Sequence, residues 1–239
     1  MEIIDKTGDN IQIRLTKLQQ NCINMNSSRS EYEQLFYNDG YQLGKEAAKN
    51  EYNEEDLFRA MEQLYLAIDQ LIDSLAVMAQ KQDQPIHCKK GCNYCCHQAV
   101  FANSYELHYL GNFVQKHFDS AGIRQIKAKA ATKNQTTSKL DEQSVLNFKS
   151  PCPLLKDGTC SVYAARPMAC RIYLSTNVGS CIEFYQNPTN EENYPALLEF
   201  PLMAGRMMNE GFIAALKEAD IEIAEFRLEE GLLHLFQSE

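Results

Sequence analysis

Residues 88–96 read "CKKGCNYCC", four thiols in one short loop, and "CPLLKDGTCSVYAARPMAC" at 152–170 adds three more before Cys181. Thiols at that density near neutral pH bind a metal ion, hold an iron–sulfur cluster, carry redox chemistry or cross-link as disulfides. The candidate metal and cofactor ligands are Cys88, Cys92, Cys95 and Cys96 in the first group, and Cys152, Cys160, Cys170 and Cys181 in the second. Tetrahedral zinc and cubane iron–sulfur clusters both use four thiolates, because soft sulfur suits these metals. Eight cysteines fill two such sites, or one site with thiols to spare. Adjacent residues such as Cys95 and Cys96 should project differently and serve different metal atoms or different sites. The ninth cysteine, Cys22, stands alone in a polar stretch and reads as a bystander.

The neighbours of these cysteines fit the same chemistry. A Cys-x-x-Cys turn lets successive backbone N–H groups face a sulfur, which lowers the thiol pKa and favours the metal-bound thiolate. Gly91 can supply a turn that L-residues resist. Four thiolates around one Zn²⁺ leave a net charge of about −2, which Lys89, Lys90, Arg166 and Arg171 are placed to offset; Arg171, directly after Cys170, is the stronger candidate. His97 is a possible replacement ligand, although an exposed loop histidine is the simpler reading where four cysteines suffice. Tyr163 and Tyr173 read as packing residues. No Ser-His-Asp arrangement, phosphate-binding loop or pair of catalytic carboxylates is visible, and no catalytic residue is assigned.

The rest of the chain says where such a site would sit. With 239 residues and 44% hydrophobic content, the chain can bury a core without staples, which weakens the disulfide reading. The opening "MEIIDKTGDNIQIRLTKLQQ" lacks a basic region followed by an apolar one, which argues against a secretory signal. No apolar run is long enough to span a membrane. A reducing cytoplasm is therefore expected, where clustered cysteines are metal ligands or catalysts. The net charge of −9 argues against nucleic acid as a partner. The basic run "RQIKAKAATK" at 124–133 is either an anionic contact face or, more simply, a solvated helix face. A protein partner or protein substrate stays open, as does the oligomeric state.

The elements that must position the cysteines read as mainly helical. Residues 1–29 form a polar arm, 30–84 a helical region, 85–185 the cysteine-cluster domain, and 186–239 C-terminal helices packing on the same core. Ser30 and Glu33 have capping-box spacing for a helix to about Lys49. Asn53 caps the clearest helix, on which Leu57, Met61, Leu64, Ile68, Leu71, Leu75 and Met78 recur at helical spacing and read as core. Pro85 ends it. Asn103 and Glu106 form a capping box for the next helix, whose basic continuation runs to about Lys133, and "NQTTSKLDEQS" reads as a mobile connector. Lys156-Asp157-Gly158-Thr159 predicts a small hairpin. Pro167 suits the first turn of a helix that points Cys170 and Arg171 away from that hairpin. From Pro188 onward the chain reads as helix broken at Pro195 and Pro201, with "ADIEIAEFRLEEGLLHLF" favoured as helix despite a brief alternation. The fold class expected is mainly α, with a cysteine-rich loop region and a small β-hairpin around a metal site.

Two resemblances follow from these motifs. Cys88-x3-Cys92-x2-Cys95 is similar to the cluster loop of radical S-adenosylmethionine enzymes, but that loop follows the first strand of a parallel barrel, whereas here helices flank it. More extensively, Cys88-x-x-Gly91-Cys92-x-x-Cys95-Cys96, Cys152-Pro153-Leu154-Leu155 and Cys160-Ser161-Val162-Tyr163-x-x-Arg166-Pro167-x-x-Cys170-Arg171, over about residues 85–185, resemble the YkgJ-like cysteine-cluster family. Proteins of that family are described as zinc- or iron-chelating, some are labelled iron–sulfur oxidoreductases, and flagellin lysine methylases carry a similar cysteine domain. The Cys152-Pro153 pairing and the three-cysteine loop tilt the choice slightly toward an iron–sulfur cluster, of 4Fe–4S type, with zinc close behind, and the eight cysteines are the expected ligands. The expected function is redox or protein-modifying, with two alternatives: a structural zinc module that presents helices to a protein partner, and an S-adenosylmethionine-dependent enzyme with an open-site cluster.

Overall fold

The computed structural model describes residues 29–49, 53–82, 86–190 and 192–236; Cys22, the polar arm up to residue 28 and Pro85 lie outside them. Two long helices open the described chain, α1 (Arg29–Ala47) and α2 (Glu54–Lys81). The Asn53 side chain caps α2 by accepting from the Asp56 N–H at 2.8 Å. Ser30 lies inside the first turn of α1 rather than capping it. On α2, Leu57, Met61, Leu64, Tyr65, Ile68 and Leu71 are all buried, each worth about 1.5–3 kcal/mol for the larger aliphatic side chains. They face α8 (Glu199–Glu218), which supplies Ala204, Met208, Phe212 and Leu216 to the same core.

The α1–α8 crossing is set by glycine. A β-carbon at Gly40 would overlap the Met208 carbonyl, and one at Gly211 would overlap the Tyr37 carbonyl, so the two backbones touch. Pro201 falls within the first turn of α8, where a missing N–H costs nothing, so it does not break the helix. Residues 188–190 and 192–198 are non-helical, contrary to the sequence expectation.

A second core gathers α3 (Ser104–His117), α4 (Ser120–Thr137) and α9 (Leu228–Leu235) around Leu107, Leu110, Val114, Ile126, Leu154, Val162 and Leu232. The capping box at Asn103 and Glu106 is present. The same Glu106 carboxylate also accepts from the Met168 N–H at 2.8 Å and the Tyr65 hydroxyl at 3.2 Å, which joins α3 to the start of α6 (Met168–Ile172) and to α2. Burial raises the Glu106 pKa against the pull of these donors.

Three sequence expectations are corrected in this region. The basic segment is not a continuation of α3: the chain turns at Phe118, and Asp119 caps a separate α4 by accepting from the Gly122 N–H. The connector "NQTTSKLDEQS" is mostly helical, because buried Lys133 and Thr137 hold the end of α4 and Asp141 caps a short α5 (Glu142–Asn147). The segment after Asp220 is not one helix. Asp220 takes a left-handed φ of 56° just past α8, and Glu225–Arg227 forms β4, antiparallel to β1 (Phe101–Asn103), before α9 begins. A second antiparallel pair, β2 (Leu155–Lys156) with β3 (Thr159–Cys160), is the hairpin the turn signal predicts.

The fold is mainly α, with two small antiparallel pairs among the described residues. Among those residues, no helix is long and apolar enough to cross a membrane.

Because the α1–α8 contact is backbone against backbone, Gly211→Leu should cost at least about 3 kcal/mol, read as a lower urea midpoint. Leu66→Ala on the exposed face of α2 should leave the midpoint nearly unchanged.

Candidate metal centre

The two cysteine segments are stitched together by backbone. The first leaves the end of α2 as a loop in which Gly91 takes a φ of 97°, and then winds through a 3₁₀ turn, Tyr94–His97, that carries Cys95 and Cys96. The Ser150 N–H donates to the His97 carbonyl at 2.9 Å and the Cys152 N–H to the Cys96 carbonyl at 2.7 Å, so the second segment starts alongside the first. The β2–β3 hairpin then turns through Asp157 and Gly158, with φ of 50° and 73°, the two left-handed residues of a type I′ turn. A 3₁₀ turn at Tyr163–Ala165 and Pro167 at the cap of α6 bring Cys170 back. Last, α7 (Val178–Gln186), capped by the Asn177 side chain, presents buried Cys181.

Cys88, Cys92, Cys95, Cys96, Cys152, Cys160 and Cys170 line one cavity of about 640 Å³. Its walls include Asp69 and Ile72 of α2 on one side and Leu154, Val162 and Leu228 on the other, so it lies where the two cores meet. Cys170 thus faces Cys160 of the hairpin, which corrects the expectation that it points away. The α6 helix is only five residues long and is pinned from the opposite side, where Gly205 of α8 packs on Ile172. All eight cysteines are free thiols. Cys96 acts on its neighbour Cys95 through the side chain.

Backbone N–H groups are aimed at four of the sulfurs. Ser175 donates to Cys88 Sγ at 3.1 Å, and the N–H groups of Tyr94, Leu154 and Val162 reach Cys92, Cys152 and Cys160, in each case from two residues further on. Such donors stabilise thiolate over thiol and hold the sulfur's direction. Burial opposes them. It pushes Cys88 and Cys152 up to about 11, and it raises Cys92, Cys160 and Cys170 as well. The hydrogen bond with Cys96, followed by burial, raises Cys95. Mutual repulsion adds to this and divides the thiols. Cys88 feels Cys92, Cys95 and Cys181, whereas Cys170 feels Cys152, Cys95 and Cys160. Cys95 belongs to both neighbourhoods.

The flanking residues separate into distinct roles. Arg166 lines the cavity and pulls down the pKa values of Cys95, Cys160 and Cys170. Arg171 is fully buried and turns toward α2: it pairs with Asp69, lies 3.9 Å from the Tyr65 ring centroid, and donates to the carbonyls of Arg166 and Ala164. Lys89 is exposed and acts on Cys92. Lys90 sits 5.9 Å from the centroid of the Tyr163 ring. His97 Nδ1 contacts the Asn93 carbonyl at 3.0 Å, and its ring packs on Tyr185, outside the cavity lining. Tyr163 covers Arg166, and Tyr173 lines the cavity with its pKa pushed by burial to about 12.

Sequence reading missed the residues that hold this arrangement. Lys133, in the basic run, is neither an outward contact nor a solvated charge. Its ammonium is buried and donates to the carbonyls of Gln98 and Ser150, at 3.4 and 3.2 Å, at the junction of the two cysteine segments. Glu229 of α9 lies 3.9 Å away and also accepts from Thr137. Two more lysines of the run turn inward, Lys127 to the Phe236 carbonyl and Lys129 to the Leu155 carbonyl. The loop Cys88–Cys95 does not follow a strand of a parallel sheet among the described residues, so the barrel context of an S-adenosylmethionine loop is not met.

An all-sulfur donor set, N–H groups aimed at sulfur and adjacent cationic side chains fit a thiolate-bound metal group. Because metal must displace protons from thiols raised by burial, loading should strengthen steeply between pH 6 and 8, by about tenfold per unit for each proton released. Since the folded thiols titrate above their ordinary value, their contribution to stability is complete below pH 9. It is lost as pH rises toward about 11, so thermal melts of stripped protein should fall over that window while the loaded protein holds. Lys133→Met should cost about 1–3 kcal/mol by leaving the Gln98 and Ser150 carbonyls without their donor and Glu229 with Arg227 as its ion-pair partner, and the double variant with Glu229→Gln should recover part of it in the same melts.

Residues 87–194 match the model of the family CxxCxxCC, whose description reads "Putative zinc- or iron-chelating domain". No curated protein and no solved structure matches the chain. The stretch that carries the eight clustered cysteines, arranged as the geometry above describes, matches the zinc- or iron-chelating cysteine-cluster family that its motifs resemble.

Proposed function

We propose that the chain is an iron–sulfur protein whose centre is held by the eight cysteines from Cys88 to Cys181, working in a reducing, cytoplasmic setting. One observation carries this reading over zinc. Seven of the eight thiols, all but Cys181, ring a cavity of about 640 Å³, yet among the described residues no three Cys, His, Asp or Glu side chains converge as a single metal ion requires. A mononuclear zinc site draws its sulfurs to within about 2.3 Å of one point, whereas a cluster spreads its ligands around a volume. The two neighbourhoods of repulsion suggest how the ligands divide: Cys88, Cys92 and Cys181 on one side, Cys152, Cys160 and Cys170 on the other, with Cys95 and Cys96 at the junction to complete each set. A cluster in such a site supplies one-electron transfer. The protein's own share is to shield the sulfurs with Leu154 and Val162, to aim N–H groups at them, and to hold Arg166 beside them.

A structural zinc module is the second reading, favoured by the turns that place an N–H two residues after Cys92, Cys152 and Cys160. An ultraviolet–visible spectrum of protein purified without oxygen, with iron, sulfide and zinc counted on the same sample, separates the two. A brown protein with a broad band near ~400 nm and matching iron and sulfide is expected. A colourless protein with stoichiometric zinc overturns the cluster. Cys152→Ser and Cys170→Ser should each lose at least half of the metal, and Cys22→Ser none.

A further inference from the structure

Two arginines flank the last part of the site, and their hydrogen bonding differs. Each nitrogen of Arg171 has a partner: its Nε donates to the Arg166 carbonyl at 2.9 Å, and its two terminal nitrogens meet Asp69 and the Ala164 carbonyl. That is not so of Arg166. Its side chain is 12% exposed, its terminal nitrogen stands 3.7 Å from Asp69 Oδ1, and its buried Nε has no hydrogen-bond partner. Asp69 Oδ1 is also buried without a hydrogen bond, so the Arg166–Asp69 contact is an ion pair held just short of closing. Tyr163 stacks on the guanidinium from outside, 3.8 Å from ring centroid to carbon, and closes it off from solvent.

Leaving a buried N–H unmade costs about 1–3 kcal/mol, more when the group is charged. Such a donor persists where a ligand takes it up. Among the acceptors that line this cavity, Arg166 acts on the sulfurs of Cys95, Cys160 and Cys170.

We propose that Arg166 is the counter-charge and hydrogen-bond donor of the metal centre, held by Asp69 and Tyr163 so that its free Nε–H meets a sulfur of the bound cluster; this rests on the iron–sulfur reading above. A cation and a donor beside cluster sulfur favour the more electron-rich state, so Arg166 raises the reduction potential. Asp69 acts through Arg166 and lowers it. The two residues are positioning and tuning groups, and their effects have opposite sign.

The experiment is a spectroelectrochemical titration of the full chain as purified without oxygen, for the wild type, Arg166→Gln, Arg166→Lys and Asp69→Asn, with iron, sulfide and zinc counted on every sample. The expected result is wild-type iron and sulfide throughout. Arg166→Gln should shift to lower potential by about tenfold in the reduced-to-oxidised ratio, about 59 mV for one electron. Arg166→Lys should recover part of the shift, and Asp69→Asn should move the other way. Loss of iron from Arg166→Gln but not from Arg166→Lys also supports the proposal. Unchanged potentials at full iron and sulfide, or shifts of the same sign in Arg166→Gln and Asp69→Asn, overturn it and leave the cluster reading intact. So does loss of iron from both arginine variants. Zinc without sulfide in the wild type overturns the cluster reading and this proposal with it, and the metal count reveals that before any variant is compared.

Discussion

Thiols crowded into one cavity repel one another once ionised, so the chain around them must be held by something other than the sulfurs. Lys133 is central to that holding. A buried ammonium bridges the carbonyls that follow the first cysteine segment and precede the second, with Glu229 close enough to balance it. An ammonium forced into the interior keeps its charge only where acceptors surround it. The two carbonyls and the carboxylate are therefore tied to one point, and with them three parts of the chain: the cysteine loop, the second segment and α9. The backbone bond from Cys152 to Cys96 lies beside this strap. The cavity keeps its shape through these bonds.

The other wall of the cavity belongs to the long helical layer. Asp69 of α2 faces both Arg166 and Arg171, and the Glu106 carboxylate accepts from α6, from α2 and from the start of α3. Charge at the metal centre is thus coupled by salt bridges to the face of α2 opposite the α1–α8 crossing. Two carboxylates, half-buried Asp69 and buried Glu106, each serve several donors and relate the helical layer to the cysteine loops, and neither has a conservative replacement that satisfies every partner.

Much of this was legible in the sequence because the signals were local. The periodic stripe of α2, the caps at Asn53 and Asn103, the Asp157-Gly158 turn and the cysteine spacing each depend on residues within a few positions of one another. What the sequence could not show arises from long-range contact. The strand at Glu225–Arg227 exists because β1 lies beside it, and α4 runs on to Thr137 because Glu229 waits there. Arg171 looked like the counter-charge because it neighbours Cys170. Successive residues on a helix point about 100° apart, however, and in the fold that rotation sends Arg171 to Asp69 while the more distant Arg166 lines the cavity and acts by its charge on Cys95, Cys160 and Cys170.

The glycine-lined crossing of α1 and α8 has a consequence for how the molecule is made. Tyr41 and Glu218, which bond across that crossing, are 177 residues apart in the chain. During synthesis α1 and α2 emerge with their apolar faces uncovered, and the helix that covers them follows more than a hundred residues later. Contacts this distant in sequence form late and carry a loop-closure cost. The cysteine segments emerge between the two, so the nascent chain exposes both an unpaired hydrophobic face and eight unliganded thiols at once. Closure of α8 on α1 completes the first core and brings Gly205 against Ile172, which seats the helix carrying Cys170. The order of emergence therefore delays a finished cavity until α8 has been translated, and the metal finds its site only then.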